Sequence, residues 1–239
     1  MKAEWNMFVE SSVSPAAGEG PAGRKVYVLW DWNGTLLDDT RAALDTLNIM
    51  LRRRGNPEIA MDFYLENFRF PVRPFYEEIG VCLENEDWDA LAREYHDTYA
   101  LQPKALNCET MEAVETLRAA GIGQSIISAL RQDLLDAVTT ELGVARYMDF
   151  MYGVDNLDGR SKVERGRELV ARLVGSGAIA QPRDAVLVGD SLHDKEVADA
   201  LGARCVLCAQ GSHSYRRLAA VAPTAVTLME AVRLAEHLQ

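Results

Sequence analysis

The chain has 239 residues, 48% of them hydrophobic, and a formal net charge of -11. That length accommodates one or two domains with a sizeable core, and the acidic surplus excludes partners recognised by a broad basic face, so neither nucleic acid nor an anionic membrane is expected. No run approaches the roughly 18 apolar residues of a membrane span and no leader pattern opens the chain, which points to a cytoplasmic protein.

Residues 1–24, rich in Gly, Pro, Ser and Ala and without periodicity, read as a loose tail. Val26 to Trp30 is apolar on both faces, the pattern of a strand inside a parallel sheet, and it runs directly into Asp31 before a turn permitted by Gly34. Residues 40–104 then change character. Leu44, Leu47 and Leu51 mark a first helix, Trp88, Leu91, Tyr95 and Tyr99 mark a last one, and no strand-like run lies between. Half of the aromatic residues of the chain fall in this stretch, too many for a surface loop, so it is expected to form a small helical domain with its own core.

Beyond it, strands are expected near residues 123–127, 149–153, 185–188, 204–207 and 225–227, separated by helices that stop at Gly121, Gly143 and Gly202. This alternation predicts an α/β fold, a doubly wound parallel sheet made of residues 25–39 and 105–239 with the helical insert between them. Cys205 and Cys208 are two residues apart, but no second pair of soft ligands lies nearby in sequence. Buried free thiols are expected among the four cysteines rather than a zinc site.

Three apolar runs end in polar groups. Asp31 follows the first, Ser128 follows Ile126-Ile127, and Gly189-Asp190-Ser191-Leu192-His193-Asp194 follows Val186-Leu187-Val188. Lys162 opens an amphipathic helix between the last two. Ligands of open α/β sheets bind at the carboxyl ends of strands, where these residues stand. An acid, a hydroxyl, a lysine and an acidic cluster in that order resemble the haloacid dehalogenase superfamily of aspartyl-nucleophile hydrolases, in particular its phosphoglycolate-phosphatase-like branch.

The resemblance covers about residues 25 to 235 and implies a Rossmann-like core with a helical cap over the site. It also implies a Mg²⁺-dependent phosphatase acting on a small phosphorylated metabolite through an aspartyl-phosphate. Asp31 would be the nucleophile and a metal ligand, with Asp190 a second ligand and Asp194 holding a metal-bound water or pairing with Lys162. Lys162 would neutralise charge on the phosphate and on Asp31, while Ser128, Thr35 and the backbone after Asp31 would supply donors to it, with Ala129 beside them in the substrate site. The backbone carbonyl of Asn33 would complete the metal site.

Asn33 also departs from the family pattern, because phosphate-ester hydrolases of this superfamily generally carry an aspartate there to protonate the leaving oxygen and activate water. An amide does neither. A phospho-ligand binding protein with weak turnover is therefore an open alternative, as is a metal-independent dehalogenase, against which Asp190 and Asp194 argue. In the insert, Arg69 and Arg73 are candidates for reading a substrate carboxylate, Arg73 being the one expected at the site, with a surface arginine packed on an aromatic as the alternative. His193 is expected to be a solvent-facing loop histidine. The segment Gly211-Ser212-His213-Ser214 is assigned no chemistry.

Overall fold

A computed structural model describes residues 26–154 and 162–238; the expected tail and the segment leading into Lys162 lie outside them. In chain order the strands are β1 (Tyr27–Trp30), β2 (Leu37–Asp38), β3 (Ala105–Leu106), β4 (Gln124–Arg131), β5 (Phe150–Val154), β6 (Ala185–Gly189), β7 (Arg204–Cys208) and β8 (Thr224–Ala225). The α-helices are α1 (Thr40–Arg53), α2 (Met61–Asn67), α3 (Arg73–Glu78), α4 (Trp88–Ala100), α5 (Thr110–Ala119), α6 (Gln132–Glu141), α7 (Lys162–Gly175), α8 (Leu192–Leu201), α9 (Tyr215–Ala219) and α10 (Leu228–His237). None of these helices is long and apolar enough to cross a membrane.

Six strands form one sheet in the order β5-β4-β1-β6-β7-β8, and every neighbouring pair is parallel. The chain builds outward from β1 through β4 to β5, then returns to the opposite side of β1 with β6. That reversal places a crevice at the carboxyl end of β1, where open α/β sheets bind ligands.

Strand residues alternate between the two faces. Val28 and Trp30 of β1 join Ile126, Val186 and Val188 in a core completed by α5, α6 and α10, whereas Tyr27 and Leu29 join Ile127, Leu187 and Leu207 against α7, α8 and α9. Covered on both sides, the central strands have no polar face to show, which is why their sequences read as continuous apolar runs. Gly121 and Gly143 adopt positive φ just past α5 and α6, and Gly202 does so at the C-cap of α8, as the helix-stop pattern predicts.

The insert packs around a third core of Leu44, Leu47, Met50 and Leu51 from α1 with Tyr64, Phe75, Tyr76 and Leu91. Phe68 stacks on Tyr64 and meets Phe75 edge to face. At its neck is a feature absent from the sequence reading. β2 and β3 form a two-stranded antiparallel ribbon, Leu37 opposite Leu106 and Asp38 opposite Ala105, so the chain leaves and re-enters the core at one point. Two residues are too few for any period to show.

Cys205 and Cys208 are buried free thiols, as expected, but Cys82 and Cys108 are exposed, lying outside the strands that bury the other two.

Leu29, fully buried at the centre of β1, sets the scale for core packing. Leu29→Ala should lower the unfolding free energy in urea by about 2–5 kcal/mol. Leu101→Ala, at a site 84% exposed, should change it by less than about 0.5 kcal/mol.

Candidate active site

The sheet register does the first part of the positioning. Trp30 is opposite Ile126 on one side and Val188 on the other, so Ser128 and Asp190 each stand two residues beyond its partners and flank Asp31 at the same edge. The Asp31 backbone N–H donates to Val188 O at 2.8 Å, continuing the ladder into the site. Ser128 is buried where the register between β4 and β5 shifts, and its hydroxyl accepts from Leu130 N at 3.0 Å. β4 thus runs past the tip the sequence predicts, and Ala129 follows Ser128 half-buried.

Lys162 at the start of α7 lies between two acids. Its Nζ donates to Asp31 Oδ1 and to Asp194 Oδ1, each at 2.6 Å, and the residue is 3% exposed. Burial works against a charged amine, but the two carboxylates outweigh it and raise the lysine pKa, so Lys162 is an ammonium. Burial also pushes the Asp31 pKa up, with Asp194 and Asp190 adding to it and Lys162 offsetting part.

Asp194 is fixed from both ends. While Oδ1 faces Lys162, Oδ2 accepts from Ser191 Oγ at 2.7 Å, Ser191 N at 3.0 Å and Asp190 N at 3.2 Å, forming a capping box with Ser191 at the start of α8. Burial would raise its pKa, yet the lysine and the serine hydroxyl outweigh that and hold it below the usual carboxylate range.

Asp190 sits among backbone. Its Oδ2 accepts from Ser212 N at 2.5 Å, and its Oδ1 accepts from Thr35 Oγ1 at 3.4 Å. A Cβ at Gly34 would come within 2.4 Å of the Asp190 carboxylate and one at Gly211 within 2.2 Å, so both glycines are required by close approach. Carboxylate oxygens of Asp31, Asp190 and Asp194 lie within 4.8 Å of one another, and no other cluster of this kind occurs among the described residues. Three buried carboxylates against one ammonium leave an excess of negative charge, and an all-oxygen donor set suits a hard divalent cation.

Asn33 is held by groups the sequence reading did not single out. Its Nδ2 donates to Asp39 Oδ2 at 2.7 Å and to Tyr99 Oη at 3.1 Å, and the Tyr99 hydroxyl donates to the same Asp39 oxygen. Asp39 Oδ1 accepts from Gly34 N at 2.6 Å. Burial raises the Asp39 pKa, while these three hydrogen bonds pull it down. Asp39 occupies the N-cap of α1 without capping it, its side chain turned toward Asn33 and Gly34 instead. An acid directly before an amphipathic helix reads in sequence as a cap, which hides this placement.

The insert also touches the core through Gly211–Arg217. His213 is buried, its Nδ1 accepting from Leu192 N at 2.9 Å and its Nε2 donating to Phe68 O at 2.8 Å. Burial and Arg217 push its pKa down to about 4, which keeps it in the neutral form those bonds require. Ser214 N and Arg217 donate to Leu65 O. His193 is half-buried on the first turn of α8, near Glu196 and the Phe70 ring.

Arg73 is exposed on α3, its guanidinium 4.2 Å from the centre of the Trp88 ring, the geometry of an arginine packed on an aromatic. Arg69 pairs with Glu78 at 2.6 Å.

The sequence pattern of the family described as haloacid dehalogenase-like hydrolase matches residues 28–208. The chain belongs to the haloacid dehalogenase-like hydrolases. Among individual relatives of this hydrolase, phosphoglycolate phosphatase 1 of Pseudomonas aeruginosa is 27% identical over 213 residues, covering 83% of this chain and 75% of its own. In fold it is similar to a predicted phosphatase from Clostridium acetobutylicum, with a TM-score of 0.67 at 18% identity over 88% of this chain and 97% of that one. A predicted phosphoglycolate phosphatase from Haemophilus somnus gives 0.65 at 17% identity, over 89% and 98%.

The acid cluster makes stability depend on pH. Burial, then Asp194, pushes the Asp190 pKa up to about 7. The unfolded chain releases that proton near the ordinary carboxylate value, so between there and about pH 7 the folded protein binds more protons and its metal-free form loses stability as pH rises. A divalent cation competes with that proton. A cation such as Mg²⁺ held by this cluster should therefore stabilise the fold more at about pH 8 than at about pH 5, measured as melting temperatures with Mg²⁺ and with chelator. Lys162→Met should cost about 3–5 kcal/mol in urea unfolding, because it leaves buried carboxylates without their counter-charge.

Proposed function

We propose that this hydrolase is a Mg²⁺-dependent phosphatase of small phosphorylated metabolites that works through an aspartyl-phosphate on Asp31. The observation that carries this reading is a buried carboxylate at the tip of the central strand, 2.6 Å from a buried ammonium and clustered with two more carboxylates. The phosphoglycolate phosphatase among its relatives adds support for a phosphorylated substrate.

An Asp31 oxygen attacks phosphorus in line with the leaving oxygen, which departs as the P–O bond breaks; water then cleaves the acyl phosphate, releasing phosphate and restoring the carboxylate. Lys162 holds positive charge against the Asp31 oxygen throughout. Asp31, the backbone carbonyl of Asn33 and Asp190 would hold Mg²⁺, which when bound neutralises charge on the phosphoryl oxygens. Both Asp194 oxygens are already engaged, so Asp194 acts through Lys162. Ser128 and the backbone at Ala129 would donate to the phosphoryl group, with Thr35 acting by way of Asp190. The insert is the cap, resting on residues 211–217.

With an amide at Asn33, the leaving oxygen departs without a carboxylic acid to protonate it. Turnover should therefore fall steeply as the leaving-group pKa rises, and acyl or aryl phosphates should be the better substrates.

Asp31→Asn tests the assignment directly. The substitution removes the nucleophile but keeps the Lys162–Asp194 pair, so p-nitrophenyl phosphate turnover with Mg²⁺ should fall by about 10³-fold or more while the circular dichroism spectrum and cooperative melting are retained. Turnover within about threefold of the parent would remove Asp31 from that role. A panel of phosphorylated metabolites assayed with and without Mg²⁺ gives the substrate class.

A further inference from the structure

Asn33 is not simply a lost acid. The two hydrogens of its Nδ2 point at Asp39 Oδ2 and Tyr99 Oη, and the Tyr99 hydroxyl closes the triangle by donating to Asp39. Asp39, accepting from Gly34 N, Asn33 and Tyr99, is an acceptor only. A carboxylate cannot donate to an amide oxygen, so this neighbour dictates which end of the Asn33 side chain faces it. The nitrogen must be turned to Asp39, and the carbonyl oxygen away from it.

We propose that Asp39 and Tyr99 are positioning residues which, by clamping the amide nitrogen of Asn33, present its Oδ1 as a fixed acceptor that orients the hydrolytic water. This rests on the phosphatase reading above. An amide oxygen takes no proton, but it can accept a hydrogen bond from water and aim that water's lone pair. In the step so assisted, the water oxygen adds to phosphorus as the bond to Asp31 breaks. One water proton passes to a phosphoryl oxygen, and the products are the Asp31 carboxylate and dihydrogen phosphate, which loses a proton to solvent. Tyr99 belongs to α4 of the insert, so the clamp is complete only when that helix is seated against the catalytic loop.

The pairing also has a sign. An aspartate at position 33 would set a second carboxylate where an N–H now lies 2.7 Å from Asp39, and like charges at that distance repel. The two residues therefore form a matched pair in which exchange of both is tolerated and change of one is not.

The test is a set of variants assayed at saturating Mg²⁺ with p-nitrophenyl phosphate and glycerol phosphate, together with thermal melts. Loss of parent turnover in Asp31→Asn checks the phosphatase reading separately; a parent with no Asp31-dependent turnover overturns that reading and this one with it. Given that turnover, Asp39→Ala should lower kcat by about 10-fold or more with KM within about threefold, and Tyr99→Phe, a milder change that removes one hydroxyl, should lower kcat in the same direction. Both losses should vanish in an Asn33→Ala background, since the clamp then has nothing to hold. A role confined to folding would persist there. Asn33→Asp should lower the melting temperature, and adding Asp39→Asn should restore it. Equal kcat losses with and without the Asn33 side chain, or an Asn33→Asp protein as stable as the parent, would overturn the proposal.

Discussion

The ammonium of Lys162, buried between Asp31 and Asp194, is the constraint on which the site depends. Removing any of these three groups from water is costly, and their mutual attraction repays the cost only because the contacts are short and the other oxygen of Asp194 finds three further donors. Meeting that condition draws together the tip of β1, the first residue of α7 and the first turn of α8, elements contributed by separated parts of the chain. One ammonium does not balance three carboxylates. The surplus sets the cluster apart from a closed salt bridge and would suit a dication.

Around that centre the precision comes from backbone. Parallel pairing on both sides of β1 puts Ser128 and Asp190 at matching offsets, so two side chains from distant segments reach the same edge with no contact between them being needed. The glycines at 34, 189 and 211 then let backbone close on Asp190 and Asp194 to distances a Cβ would forbid. Asp190 and Asp194 are thereby held by main-chain N–H groups and caps, which do not change rotamer.

The sheet and the charged centre were legible in the sequence because both have a periodic or local signature. Buried parallel strands give apolar runs, and Asp31, Lys162 and Asp190 stand at the ends of such runs or at a helix start. What escaped has no such signature. The two-residue strands of the neck are shorter than any period, and Asp39 was masked by its resemblance to an ordinary helix cap. Tyr99 carried the helical spacing of a core residue, and only its partner across the neck reveals its polar use. Arg73 shows an ambiguity of another kind, since a basic residue among aromatics reads equally as a ligand-reading arm or as a cation resting on a ring, and in the fold its guanidinium lies over Trp88.

The neck also bears on how the fold can be assembled. Were the insert a floppy connection, pairing β4 with β1 would require closing a long loop, whose entropy cost grows with its length. Because Leu37 and Leu106 are paired, an insert that orders locally through its own aromatic core delivers the two ends already joined, and to the sheet the excursion becomes a short turn. The effective sequence distance between β1 and β4 shrinks accordingly, and with it the dependence of sheet formation on how large the excursion is. Such a joint lets one scaffold carry inserts of very different size with its strand order unchanged.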